Sequence, residues 1–353
     1  MKRVVQWSTG GVGKLAAQAL FERDDFDLVG VLVHSDAKAG RDAGEVCGDK
    51  PWHITTTQSV DDIISLKPDC VVFCENGDLR PNEVIDRFCQ LLEHGINVVS
   101  TSIAGLVHHN GFDPGKIQRL NRAGHDGGAS LYVSGMEPGF AADQLVLVLT
   151  TLSRNIRSIR TQEIFLYDKY PVVETMRDAF GFGLGPGHTA LVELPGVQAH
   201  TWSAPVRMVA DALGVELDCI RETYEKRTTD KRLNVAMGVI EPGTVGAVRF
   251  ETIGVVNGRD AIIIEHVNRM AADMAPDWPT ADHPGTYRII IEGDPDITVE
   301  LKLGDAETYS DSDSGMTGTA MRIVNAIHAV CDARPGLVTS LDLPLTIPRH
   351  AMV

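Results

Sequence analysis

Within its first twenty residues the chain passes from a β-rich run, Val4-Val5-Gln6-Trp7, through Ser8-Thr9-Gly10-Gly11-Val12-Gly13-Lys14 into a helical run of small residues, Leu15-Ala16-Ala17-Gln18-Ala19-Leu20. Glycines at a strand-to-helix turn let the backbone approach a pyrophosphate, and the free N–H groups of the helix start then bind its charge. Three glycines alone are a weak pattern. Placed after the first strand and ahead of a helix, they point to a dinucleotide site formed by Thr9, Gly10, Gly11, Val12 and Gly13. Trp7 occupies the first place of the G-x-x-G-x-x-G spacing, so the early turn is made without glycine.

The residues that follow fit the same fold class. To about residue 150, short β-branched runs alternate with helical patterns, the signature of a doubly wound parallel sheet with helices on both faces. The pattern predicts strands at 3–7, 28–33, 70–74, 97–100 and 130–134, and helices at about 12–22, 59–66, 81–94 and 114–124. Asp69 to Cys74 is almost wholly apolar, as a central strand buried on both faces requires. The carboxyl ends of such strands face the ligand crevice, which assigns Cys74 and Thr101 to the cofactor. The second strand ends in His34 and Ser35, with Asp36, Lys38 and Arg41 close behind. A hydroxyl and two cations suit the 2′-phosphate of NADP, because charge-assisted bonds to phosphate are strong. His34, Ser35 and Lys38 are therefore assigned to that end of the cofactor. Asp36 keeps NAD open as the alternative.

At roughly 150 residues per domain, 353 residues make about two domains. The boundaries read as 1–143 for the Rossmann domain, 144–315 for an α+β sheet domain, and 316–353 for a C-terminal helix and tail packing back on the first. In the second domain, strands are expected at 159–167, 244–256, 259–267, 287–292 and 297–303, with helices at 144–151 and about 203–213. Asn257-Gly258 marks a tight hairpin between two of these strands. Acidic residues outnumber basic ones 48 to 32, and the net charge of −16 disfavours nucleic acid as a partner. Six cysteines without paired spacing read as reduced thiols of a cytoplasmic protein. The start Met1-Lys2-Arg3 leads straight into a β-rich run, and no apolar stretch has the length of a membrane span.

Several segments resemble the dihydrodipicolinate-reductase-like superfamily, in the branch of 2,4-diaminopentanoate dehydrogenase and the native amine dehydrogenases. They are the glycine loop, Lys38 to Glu45, Gly95-Ile96-Asn97-Val98-Val99-Ser100-Thr101-Ser102, Gly135-Met136-Glu137-Pro138-Gly139-Phe140 and, less strongly, His266 to Pro279. The resemblance implies an N-terminal Rossmann domain, a C-terminal sheet domain that closes over a small carbonyl or amine substrate, a homodimer, and hydride transfer between nicotinamide and a carbon–nitrogen bond. Two departures stand out. The His-His-x-x-Lys-x-Asp-x-Pro-Ser-Gly-Thr segment of dihydrodipicolinate reductases is replaced by Tyr167-Asp168-Lys169-Tyr170-Pro171. The glutamate that the amine dehydrogenases carry after the Ser-Thr strand end is replaced by Ile103-Ala104.

Reductive amination needs a carboxylate to take a proton from ammonium and return one to the departing water. Glu137 is the substitute on offer, with capping of a helix that starts at Pro138 as its structural alternative. Phe140, Tyr167 and His266 are assigned to the substrate pocket, the last two equally readable as packing residues. His108, His109 and His125 lack ligand spacing, so no metal is expected. The run Gly181 to Gly187 reads as a mobile lid or a tight turn. Two other functions stay open: reduction of a carbonyl or C=C bond without ammonia, and a cofactor-binding sensor without chemistry.

Overall fold

The computed structural model describes residues 1–77, 80–304, 311–349 and 352, and of 311–313 the backbone alone. From the N-terminus run β1 (Lys2–Trp7), α1 (Gly11–Glu22), β2 (Phe26–Leu32), α2 (Ala43–Cys47), β3 (Thr56–Thr57), α3 (Val60–Ser65), β4 (Cys70–Phe73), α4 (Pro81–Glu93), β5 (Asn97–Ser100), α5 (Pro114–Gly127) and β6 (Ser130–Val133). Then follow α6 (Gln144–Thr150), β7 (Arg154–Leu166), α7 (Val197–Leu213), β8 (Cys219–Thr228), β9 (Leu233–Val235), β10 (Gly238–Ile240), β11 (Val245–Val256), β12 (Arg259–Arg269), β13 (Gly285–Asp294) and β14 (Ile297–Lys302). The last elements are α8 (Asp311–Val324), α9 (Ile327–Cys331) and β15 (Gly336–Val338). Two compact units result, Met1–Gly139 with Met316–Val353, and Phe140–Gly315.

In the first unit seven parallel strands lie in the order β15-β6-β5-β4-β1-β2-β3. The chain leaves β1 towards β2 on one side and later adds β4 on the other. The β1/β4 junction is thus the switch point at which α/β sheets bind ligands. All four residues of β4 are fully buried, as the apolar run requires. Local chemistry sets the helix ends: Asp113 caps α5 through Gly115 N and Lys116 N, Pro114 stands at its first position, and Gly128 closes it at φ 69°. The single helix expected within 316–353 is two, α8 and α9, with a break at Asn325–Ala326. Asparagine is a weak helix former, and here its side chain accepts a bond from Arg23 Nη1 at 2.6 Å.

The second unit is built on a mixed six-stranded sheet, β14-β13-β7-β12-β11-β8, in which only β7 and β12 pair in parallel. Helix α7 packs Val206, Val209 and Ala210 against Phe250, Ile262 and Ile264. It starts at Val197, earlier than expected, and holds Pro205 in its interior, where the proline forfeits one helix hydrogen bond. Asn257 and Gly258 turn at φ 50° and 70°, the geometry of the predicted hairpin. The first half of the Gly181–Gly187 run is tied to the sheet, while Gly185 to Gly187 are exposed. Gly183 N donates to Val245 O (2.8 Å), Val245 N donates to Leu184 O (2.9 Å), and Phe182 is fully buried. Among the described residues no helix is long and apolar enough to cross a membrane.

One face of this sheet carries a partly buried charge network. Glu265, wholly inaccessible, accepts from Arg160 Nη1 (2.5 Å), Arg249 Nε (2.7 Å) and Gln162 Nε2 (2.8 Å), and Arg160 also bonds Glu251 (2.6 Å). Burial works to raise the Glu265 carboxyl, but the Gln162 bond and the two guanidinium charges outweigh it and hold it below the usual range. Glu265→Ala would remove the buried partner that Arg160 and Arg249 share and leave them to Glu251 and Glu225, an expected loss of about 1.5–3 kcal/mol in urea unfolding at pH 7, the range of a lost hydrogen bond to a charged group. A carboxyl lowered on folding stabilises above its unfolded value of about 4.3 and ceases to as pH falls through the folded one, so the difference between the proteins should shrink below about pH 4.

Candidate active site

At the end of β1, Ser8 turns the backbone at φ 74° and so makes the early turn for which no glycine was available. Gln6 Nε2 braces it by donating to Ser8 O (2.9 Å). Thr9 is buried behind the turn. Gly10 is the N-cap of α1 in extended conformation, without a side-chain bond to the helix N–H groups, and a Cβ on it would meet nothing within 4 Å. At Gly13 a Cβ would run into the Ser8 carbonyl oxygen, so the close approach of helix and strand demands glycine there. Val12 packs its side chain against the core. A Cβ on Gly11 would lie 2.5 Å from Met316 Sδ in α8. Uncapped N–H groups with open space at Gly10 fit the pyrophosphate of a dinucleotide.

At the end of β2 the polar residues are tethered in specific ways. Lys38 Nζ donates to Thr9 O (3.1 Å) and bonds Thr9 Oγ1 (3.2 Å), which places the cation on the glycine loop. Ser35 Oγ accepts from Ala37 N (3.3 Å), and Asp36 is engaged by Gln58 Nε2 (3.1 Å). Arg41 leans instead on Glu45 (3.7 Å). His34 Nε2 stands 3.2 Å from a carboxylate that the sequence reading missed, Glu75. Glu75 also accepts from Trp7 Nε1 (3.2 Å) and Arg80 (2.8 Å). Burial works to raise its carboxyl, yet His34, Trp7 and Arg80 together hold it low. Its place just beyond β4 was the available signal.

Along the same carboxyl edge, Cys74 N donates to Trp7 O (3.0 Å) and Thr101 N to Phe73 O (3.2 Å). Burial pushes the Cys74 thiol up to about 11 against the bonds of Gln6 and Thr101, so it lines this edge as a neutral group. Ile103 is fully buried with φ 58°, a left-handed conformation that costs a β-branched residue about 1–2 kcal/mol. Glu137 follows β6, half-buried, on the turn that Ser134 Oγ closes by donating to Gly139 O (3.0 Å). No helix starts at Pro138; the next one, α6, begins at Gln144 with Asp143 as its cap. Glu137 is therefore not a helix cap.

In the second unit, Phe140 sits in the turn before α6, its carbonyl accepting from Leu145 N (2.9 Å). Tyr167 lies one residue past β7, whose last residue is Leu166. His266, on β12, is buried, with its ring stacked on Phe250 at 4.5 Å and 6° and edge-on to Trp202 at 4.7 Å. The pairing of β7 with β12 sets Glu163 beside His266. Glu163 was overlooked in the sequence, although by period two it shares the inward face with Ile159. Its Oε1 accepts from Tyr167 Oη (2.9 Å), Asn268 Nδ2 (3.2 Å) and His266 Nδ1 (3.3 Å). Burial works to raise this carboxyl, but the His266 charge and the three hydrogen bonds prevail and lower it. Tyr167 and His266 are thus brought together around a carboxylate.

The profile of the 2,4-diaminopentanoate dehydrogenase C-terminal domain matches residues 140–353. An amine dehydrogenase from Streptomyces virginiae is 37% identical over 349 residues, which cover 98% of this chain and 97% of the relative. The chain belongs to the 2,4-diaminopentanoate dehydrogenase family. A 2,4-diaminopentanoate dehydrogenase from Acetoanaerobium sticklandii is 26% identical over 368 residues, covering 99% of this chain and 95% of the relative. The fold matches an amine dehydrogenase structure from Mycobacterium smegmatis with a TM-score of 0.78 at 19% identity, over 99% of this chain and 97% of that one. Family membership makes the protein a nicotinamide-dependent oxidoreductase of the amine dehydrogenase type.

Proposed function

We propose that the protein catalyses the NADP-dependent reductive amination of a small ketone or aldehyde and its reversal, or reduces the preformed imine. The observation that carries this reading is the 37% identity to a named amine dehydrogenase along nearly the whole chain. It is joined by an open, uncapped glycine loop and by a half-buried carboxylate, Glu137, on the carboxyl edge of the same sheet.

Gly10, Gly11 and Gly13 hold the pyrophosphate. Lys38, tethered to Thr9, lies with Ser35 and His34 at the 2′-phosphate end, which favours NADP over NAD. Bound NADPH supplies the hydride. Glu137 takes one proton from ammonium and returns it to the hydroxyl that leaves the carbinolamine as water, so carbonyl, ammonium and hydride give amine and water in balance. In the cell we expect a cytoplasmic homodimer, a state that sedimentation of the purified protein checks.

A second reading, reduction of a carbonyl or C=C bond without ammonia, is favoured by Ile103 standing where a carboxylate is expected. Following NADPH oxidation over a panel of small carbonyls with and without ammonium separates the two. We expect turnover that saturates in ammonium and is near zero without it. Equal turnover in both arms would establish the second reading, and binding without turnover would leave a sensor.

A further inference from the structure

Glu163 has one saturated oxygen and one that is not. Its side chain is 8% exposed, and all three of its donors, Tyr167, His266 and Asn268, end on Oε1. Among the described residues, that leaves Oε2 for a further donor. An ionised carboxylate buried in an apolar surround costs several kcal/mol unless it is fully paired, and such incompletely paired groups cluster at functional sites.

The surround selects the donor. The His266 ring is packed between Phe250 and Trp202, and the Tyr167 ring lies 5.6 Å from Tyr170 and 6.5 Å from Phe180. A negative oxygen beside aromatic rings attracts a small organic or ammonium cation and repels anions.

We propose that Glu163 Oε2 binds the reacting nitrogen, as ammonium in the aminating direction and as the protonated amino group of the substrate in the reverse one. Tyr167, Asn268 and His266 are positioning residues that fix the carboxylate by saturating its other oxygen. This rests on the amine dehydrogenase reading above. It places the nitrogen on a residue of the second unit, whereas the resembling enzymes carry their glutamate in the first.

The test is Glu163→Gln in the full-length protein, which keeps the shape and removes the charge. The KM for ammonium is expected to rise about ten- to a hundredfold, the range of a lost hydrogen bond to a charged group, while the KM for NADPH stays within about threefold. In parallel, calorimetric titration with methylammonium chloride is expected to show saturable binding to the wild-type protein and none to the variant. Should Glu163→Gln fail to fold, Tyr167→Phe, which loosens the carboxylate without touching its charge, is expected to raise the ammonium KM severalfold. An unchanged ammonium KM in a folded, active variant, or methylammonium binding of equal strength in both proteins, overturns the proposal. If the wild-type protein turns over without ammonium, it is the amination reading that fails, and the calorimetric arm still decides whether Glu163 binds a cation.

Discussion

Exchanging Glu137 for glutamine is expected to lower the rate of ammonium-dependent NADPH oxidation by about 10²–10⁴, the contribution typical of a positioned general acid–base group. The amide keeps the size and hydrogen-bonding reach of the side chain but can neither take the proton from ammonium nor return it to the departing hydroxyl. Local structure isolates the effect. Ser134 Oγ closes the turn through the Gly139 carbonyl, and Asp143, not Glu137, caps the following helix. Thermal stability of the variant should stay within a few degrees of the wild type, so that lost turnover is not lost fold. The alternative proton carrier in the resembling enzymes is unavailable, because Ile103 fills that position with a fully buried aliphatic side chain. Measured turnover within about threefold of wild type would remove Glu137 from the chemistry and shift attention to Glu163. A drop in kcat with unchanged KM for ammonium is the expected signature, since the proton is moved in the transition state rather than bound in the ground state. Glu163→Gln should show the opposite split, and the two variants together apportion nitrogen binding and proton transfer.

The parts of the site that could be read from the sequence are those whose cause is local. Gly10 to Gly13 sit between a strand and a helix that are contiguous in the chain, so their place at the turn follows from order alone. Strand β4 is an apolar run because both its faces are covered. By contrast, β8 went unseen: it is the edge strand of its sheet, reads Cys-Ile-Arg-Glu-Thr-Tyr-Glu-Lys-Arg-Thr, and is half-exposed along most of its length, which erases the alternation that marks a strand. The two-residue β3 and three-residue β15 are too short to carry any period. Glu163 and His266 illustrate a different limit. They meet through the parallel pairing of β7 with β12, which are far apart in the chain, and nothing near either residue announces the other. The His34–Glu75 pair, joined across β1, was hidden for the same reason.

Gly10→Asp is expected to separate folding from cofactor binding more sharply than any other single change in the glycine loop. Gly10 is the N-cap of α1 with φ −72° and ψ −169°, extended backbone that any residue adopts, and a side chain there meets no neighbour within 4 Å. Aspartate is among the preferred N-caps, and its carboxylate can accept from the helix N–H groups that now lack a side-chain partner. The variant should therefore fold at least as well as wild type, with a small gain of a few tenths of a kcal/mol over glycine. That same carboxylate would stand in the proposed place of the pyrophosphate and repel it. Two charges about 4 Å apart at an effective dielectric near 20 interact by about 4 kcal/mol, which is close to a thousandfold in Kd. Fluorescence titration with NADPH is the measurement, and thermal unfolding is its control. Lost affinity at unchanged or raised Tm places the dinucleotide phosphates on the N-terminus of α1. Retained affinity would move them elsewhere on the sheet edge, whatever the fate of catalysis. Gly13 offers no such separation, because a Cβ there collides with the Ser8 carbonyl and disturbs the packing of α1 on β1 before any ligand arrives.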